Sequence, residues 1–216
     1  MERPQNINSR YTARAVRLII VFHLVGLIGL SINFSRPFFL QLVPYHLLLM
    51  MLILVFTHNR FNTKFALFFA FIFIIGFAVE WIGVHTRMIF GNYVYGDVLG
   101  LKFDAVPLII GVNWFLLIYS TGVLLQQSRI KPVWVRVPVG ALILVLLDAV
   151  IEPVAVKFNY WHWAGNTIPI TNYVCWFIIG LVLLSIFEIS RFKKQSMVGA
   201  VLLVSQFIFF LALLSY

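Results

Sequence analysis

An all-α, polytopic membrane bundle of about seven transmembrane helices is the fold that this sequence predicts, and three observations predict it. Of its 216 residues, 62% are hydrophobic and only 11% charged, a balance outside that of soluble globular chains. Seven apolar runs approach the roughly 20 residues that a bilayer core asks of a helix. Those runs are continuously apolar, whereas strands of a membrane barrel would alternate apolar and polar side chains. Residues 1–216 are therefore read as a single integral membrane domain.

Charges, prolines or polar clusters bound each run. The first, 18–34, follows a basic segment, lacks an A-x-A-like cleavage site and is longer than a signal-peptide core, so a retained helix is expected. The second, 38–56, lies between Arg36-Pro37 and the polar THNR, and the third, 65–84, between Lys64 and His85. The fourth, 106–125, stops at QQSR; the fifth, 133–151, follows Lys131-Pro132 and stops at Glu152-Pro153. The sixth, 170–187, runs from Pro169 to Glu188, and the seventh, 198–214, follows the basic RFKKQS.

Sixteen Lys and Arg against seven acids raise the question of a nucleic-acid partner, and their distribution answers it. With the N-terminus cytoplasmic, that side carries Arg3, Arg10, Arg14, Arg17, Arg60, Lys64, Arg129, Lys131, Arg136, Arg191, Lys193 and Lys194. The opposite side receives only Arg36, Arg87, Lys102 and Lys157. Such asymmetry sets orientation in a membrane, predicting N-terminus in and C-terminus out, and leaves no basic patch for nucleic acid. The lone Cys175 excludes an internal disulfide and a multi-cysteine metal site.

The acids show the opposite bias. Glu80, Asp97, Asp104, Asp148 and Glu152 gather at the outer ends of helices and in the loop after the third run, while Glu2 and Glu188 stay inside. Glu80 and Asp148 sit a turn or so within the apolar boundary, where a charged side chain is costly, which suits them to hold and deliver a proton. The plainer reading has each acid pairing with a loop cation, Arg87, Lys102 or Lys157, or reaching out to water. For Asp148 and Glu152 the spacing i, i+4 weakens that reading, because like charges on one helix face repel unless a proton or a cation intervenes. Tyr160, Trp161 and Trp163 form either an interfacial aromatic belt or a π-rich wall able to stabilise a cation. His162 reads as a solvated loop residue, and His23 and His46 as interhelical hydrogen-bonding groups. The segment 83–107 has the Gly and Tyr content of an ordered cap or re-entrant stretch, with Asn113, Trp114 and Asn172 at the same level.

Several membrane chemistries leave signatures that are missing. No histidine box occurs for a di-iron oxidase, and D-x-x-x-E occurs once, where magnesium-dependent prenyl transfer would need two acid-rich motifs. P-loop, G-x-G-x-x-G and H-E-x-x-H motifs are also missing. Acid and base chemistry on a lipophilic substrate remains, with no metal or other cofactor.

The stretches GFAVEWIGVHT, FGNYVYGDVLG, AVPLIIGVNW and LDAVIEPVAVKFNYWHW followed by IPITNYVCWF span about residues 76–180. In order and spacing they resemble the carotenoid biosynthesis membrane family that includes carotenoid 1',2'-hydratase and bisanhydrobacterioruberin hydratase. The resemblance implies a cofactor-independent hydro-lyase of a multi-pass prokaryotic cytoplasmic membrane. It would add water across the terminal double bond of an acyclic (ψ) carotenoid end to give a tertiary alcohol. Its implied partners are the carotenoid, water, membrane lipid and other enzymes of the same pigments. Matching residue by residue, it implies Asp148 or Glu80 as acid and Glu152 as base. Tyr93, Tyr95, Trp161 and Trp163 would stabilise the cation or bind the end group, beside Trp114 and Tyr160, and Asn113 and Asn172 would orient water or a carboxyl. Arg87 departs from the pattern, which has a small residue there, often Gly; a cation at that point could pair with Glu80 or Asp97. Three other readings stay open: an end-group cyclase sharing the first protonation, a non-catalytic carotenoid-binding protein, and a seven-helix proton-coupled carrier or receptor.

Overall fold

A computed structural model describes residues 9–216 of the chain; Glu2 and Arg3, counted in the charge pattern above, lie outside the described residues. Among the described residues eight α-helices follow one another: α1 (Ser9–Ser31), α2 (Arg36–Gln41), α3 (Val43–Thr57), α4 (Thr63–Thr86), α5 (Ile109–Gln127), α6 (Val133–Lys157), α7 (Ile170–Ile189) and α8 (Val198–Leu214). Between them lie four short strands, β1 (Tyr93–Tyr95), β2 (Lys102–Phe103), β3 (Val106–Pro107) and β4 (Trp161–Trp163). By length and composition α1 and α4 to α7 can each cross a membrane; α3 and α8 are apolar but shorter. Leu67, Ile74, Leu146 and Val182 are among many large apolar side chains left exposed on the outside. An outward apolar surface on helices whose backbone bonds close internally is what a lipid solvent selects. The protein is an all-α, multi-pass membrane bundle.

The last run has the bounds expected of it, and the others differ for identifiable reasons. α1 begins earlier than residue 18, since a helix can carry Arg10, Arg14 and Arg17 beyond the apolar layer. The second run divides into α2 and α3 at Leu42, just ahead of Pro44; a proline has no N–H to bond back to the preceding turn. Residues 106 and 107 are not helical but form β3, which pairs with β2, because Pro107 biases Val106 toward extended backbone. α6 continues past residue 151 to Lys157 with Pro138 and Pro153 inside it, so Asp148 and Glu152 lie within a helix rather than at its end.

At the α1–α2 corner the Arg36 guanidinium caps α1, its Nε donating to the Leu30 carbonyl at 2.7 Å. The same group lies over the Phe158 ring beyond α6. α5 is the central strut, buried on nearly all sides and packed against α3, α4, α6, α7 and α8. α6 packs along α7, and α1 along α8. One end of the bundle is closed by a polar clamp in which His58 bonds the Tyr119 hydroxyl (2.7 Å) and Gln195 accepts from the Asn59 N–H (2.7 Å). Arg136 and Glu188 pair at that same end. Glu80, Asp97, Asp104, Asp148 and Glu152 all lie at the other.

Arg87 closes α4 in the left-handed region, at φ 60° and ψ 10°, its N–H bonded to the Gly83 carbonyl. It is exposed and, among the described residues, forms no ion pair with Glu80 or Asp97. Glycine is favoured at such a cap because it lacks the Cβ clash. Arg87→Gly is therefore expected to stabilise the protein by about 0.5–1 kcal/mol after the extra chain entropy of glycine is deducted, seen as a higher Tm in detergent.

Candidate active site

At the acid-rich end β1 and β4 form an antiparallel ribbon, with Tyr93 opposite Trp163 and Tyr95 opposite Trp161. Side chains alternate along a strand, so these four aromatics share the face turned to the helices, while Val94 and His162 are exposed on the other. The Gly96 N–H donates to the Tyr160 carbonyl, and the Asn92 carbonyl accepts from Ala164, extending the ribbon at both ends. Gly96 cannot carry a side chain, since a Cβ there would fall 2.1 Å from the Asn159 carbonyl oxygen. Outside the ribbon Lys102 pairs with Asp97 at 2.8 Å, holding that exposed carboxyl below its usual range through the hydrogen bond first and the charge second.

Beneath the ribbon three carboxyl groups are held by neutral donors. Glu80, from the last turns of α4, accepts at Oε2 from the Tyr93 and Tyr95 hydroxyls, both at 2.7 Å, and at Oε1 from Trp114 Nε1 at 3.1 Å. Burial, and then the Glu80 carboxylate, hold both tyrosines well above the ordinary phenol value, so each remains a donor. Glu152 accepts at Oε2 from the indole N–H groups of Trp163 (2.7 Å) and Trp161 (2.9 Å). Asp148, one turn earlier on α6, accepts at Oδ2 from Asn172 Nδ2 at 2.7 Å. The same amide nitrogen reaches Glu152 Oε1 at 3.4 Å, bracketing the two acids. Asp148 is 1% exposed, Glu152 2% and Glu80 6%. Among the described residues none of the three has an ion pair, so the loop cations do not neutralise them: Lys102 is on Asp97, and Lys157 lies over the Phe158 ring.

The three acids line a chamber of about 40 Å³ with Asn113, Asn172, the four ribbon aromatics, Trp114, Trp176 and Phe90. A water needs roughly 10–15 Å³ measured this way, so the chamber accommodates a few waters. Ile110, Asn113 and Trp161 belong both to this chamber and to a second, apolar cavity of about 370 Å³ between α1, α3 and α8. That volume lies in the range of about 300–1,000 Å³ typical of ligand pockets. A greasy cavity thus abuts a small acid chamber.

A family model described as carotenoid biosynthesis protein matches residues 14–216. The chain belongs to this carotenoid biosynthesis family. Bisanhydrobacterioruberin hydratase of Haloarcula japonica is similar to it at 29% identity over 119 residues, 52% of this chain and 41% of the relative. The chain thus spans about two-fifths of that relative's length. No solved structure matches the chain.

In this member of the family the structure brings together Glu80, Asp148, Glu152, Tyr93, Tyr95, Asn113, Trp114, Trp161, Trp163 and Asn172. Tyr160 stands apart, in the wall of the apolar cavity rather than in the acid chamber. Among the described residues His23 and His46 form no hydrogen bond between helices: His23 Nδ1 bonds the Ile19 carbonyl of its own helix, and the two rings meet edge to face at 4.8 Å. Trp176 escaped the sequence reading, although it lies four residues after Asn172 on one helix face and stacks on Trp114 at 4.5 Å. Phe90 escaped it too, and no periodicity marked it. The apolar cavity was also missed, because α1, α3 and α8 carry no motif.

Trp114 reaches Glu80 by crossing α4 at Gly76, where a Cβ would come within 2.5 Å of the Trp114 Cβ. Gly76→Ala is expected to push the indole off Glu80 and to cost about 1–3 kcal/mol, as overpacked sites do. A lower Tm in detergent, together with a reduced product yield, would be the readout.

Proposed function

We propose that this protein adds water across the terminal C1',C2' double bond of an acyclic carotenoid end group, giving a tertiary alcohol. The observation that carries this is the juxtaposition of the two spaces: three carboxyls with neutral donors only, in a chamber that shares Asn113 and Trp161 with the wall of an apolar cavity. Family membership and the hydratase name of the Haloarcula relative support the same substrate and chemistry. Addition of water is redox-neutral, so proton donors and acceptors suffice for it and no cofactor is invoked.

The donor pattern divides the roles. Indole N–H groups can only donate, so Glu152 Oε2, facing two of them, is placed as an acceptor and serves as the base. Among the described residues Asp148 has a single bond, at Oδ2, leaving Oδ1 free to carry the proton. In the proposed reaction Asp148 gives that proton to the CH carbon of the alkene, and the π electrons become the new C–H bond. The tertiary cation left on the adjacent carbon lies against aromatic faces of Tyr93, Trp161 and Trp163. A water held near Asn113 attacks it, and the proton lost by that water goes to Glu152. Transfer from Glu152 back to Asp148, one turn away, restores the starting state. Glu80, tied down by three donors, is given the part of an electrostatic partner to the cation rather than of proton donor.

Cyclisation would begin with the same protonation, but the end group would then have to fold back on itself beside the acid. Asn113 and Asn172 beside the acids, able to hold the attacking water, favour hydration. We place the protein in a prokaryotic cytoplasmic membrane, as the family resemblance implies, with the N-terminus inside on the distribution of Lys and Arg. Expression in a lycopene-producing bacterium tests the reaction: extracted pigment heavier by one water is the expected product. Pigment of unchanged mass with altered retention and spectrum would mark a cyclase, and pigment unchanged in every respect would remove lycopene as substrate.

A further inference from the structure

Three polar side chains in the wall of the apolar cavity, one each from α1, α3 and α8, take no part in the proposed reaction. Gln206 of α8 is 6% exposed, and its Oε1 is buried without a hydrogen-bond partner among the described residues. His23 of α1 and His46 of α3 line the same cavity. The Ile19 carbonyl can only accept, so His23 Nδ1 carries the hydrogen and its neutral ring turns an acceptor Nε2 elsewhere. No hydrogen bond occupies the His46 ring among the described residues. A buried, unpaired carbonyl oxygen costs free energy and calls for an explanation.

We propose that Gln206, His46 and His23 form a hydroxyl-recognition subsite in the apolar cavity, which selects a lipophilic ligand bearing an O–H group some carbons away from its reacting double bond. Three features point to a hydroxyl rather than a keto oxygen. With the Gln206 amide turned to the cavity its Oε1, like His23 Nε2, is an acceptor and needs a donor, which a ketone lacks. The Gln206 amide and a His46 ring N–H can donate, and a hydroxyl oxygen accepts from them at the same time. Of the other side chains lining the cavity only Tyr45, Asn113, Tyr160 and Trp161 carry polar atoms, among apolar groups such as Phe22, Phe39, Met50 and Phe209, so a chain lying there has few other places to satisfy an oxygen. This rests on the preceding reading in taking an isoprenoid chain as the ligand, and it adds a selection among such chains.

Two ten-carbon isoprenoids that end in the same trisubstituted alkene supply the test, linalool with a hydroxyl and myrcene without. Their dissociation constants are measured by calorimetry on the purified full chain in detergent, corrected for partition into empty micelles. Linalool is expected to bind about tenfold more tightly than myrcene, the effect of one or two net hydrogen bonds. Gln206→Leu and, separately, His46→Phe are expected to cut that ratio to about twofold. Leucine at 206 removes an unpaired polar group, so the fold should survive, and a thermal melt of each variant verifies this. The inference is overturned by a ratio near one in the wild type, or by a ratio that both variants keep. It is overturned equally if both ligands weaken alike, since the cluster would then be holding a water. No turnover enters the measurement, so a failed hydration assay and a failed subsite are told apart.

Discussion

Asp148→Asn is expected to cut product formation by about 10²–10⁴-fold, the size of a lost general acid, while Tm in detergent stays within a few degrees. The two halves of this expectation have separate physical grounds. Asparagine keeps the shape of the side chain, and its carbonyl oxygen can accept from Asn172 Nδ2 as Asp148 Oδ2 does. What is lost is a hydrogen on the free oxygen that can be transferred to carbon, because an amide N–H is far too weak an acid. Pigment analysis beside a thermal melt separates chemistry from folding. Glu80→Gln run in parallel decides between the two acids that the sequence left open. Full loss at Glu80 with activity kept at Asp148 would reverse the assignment.

That Asp148 and Glu152 belong together was legible from their spacing, since i, i+4 on a helix is a contact whatever surrounds it. Which donors hold them was not, because Tyr93, Tyr95, Trp161 and Trp163 reach them through a strand pairing across more than sixty residues of chain. The signal was nevertheless present: Y-V-Y and W-H-W both alternate with period two, the pattern of a ribbon with one face inward. Read separately they look like interfacial aromatics, and only the pairing turns them into one lid. Helix bounds followed hydropathy where a charge cluster ended the run, as at α8. They failed where proline chemistry competed, as at Pro44, which breaks a run, and at Pro153, which does not. The apolar cavity was illegible for another reason. Helices that face lipid and helices that face a lipophilic ligand meet the same selection for apolar side chains, so α1, α3 and α8 read as featureless. Gln206, His23 and His46 were the exceptions to that pattern, and an isolated polar residue in an apolar run has too many explanations to be read alone.

Glu152→Gln and Glu152→Leu are expected to lose activity alike, by about 10²–10⁴-fold, but to part company in stability. Glutamine offers one carbonyl oxygen, which can take over both indole N–H groups now bound to Glu152 Oε2. Its amide nitrogen then faces Asn172 Nδ2 and loses the long 3.4 Å bond, while the shorter Asn172 bond to Asp148 is kept. The two indole bonds survive, and Tm should fall little. Leucine leaves Trp161 and Trp163 with donor-only N–H groups and no acceptor, at about 1–3 kcal/mol for each buried group. That penalty falls on the ribbon, so the lid formed by β1 and β4 should loosen and expose its backbone amides to hydrogen exchange. If glutamine and leucine destabilised equally, the indole bonds would contribute nothing to the lid. If glutamine kept full activity, Glu152 would be a structural acceptor, and the base would have to be sought at Glu80, the remaining carboxylate of the chamber.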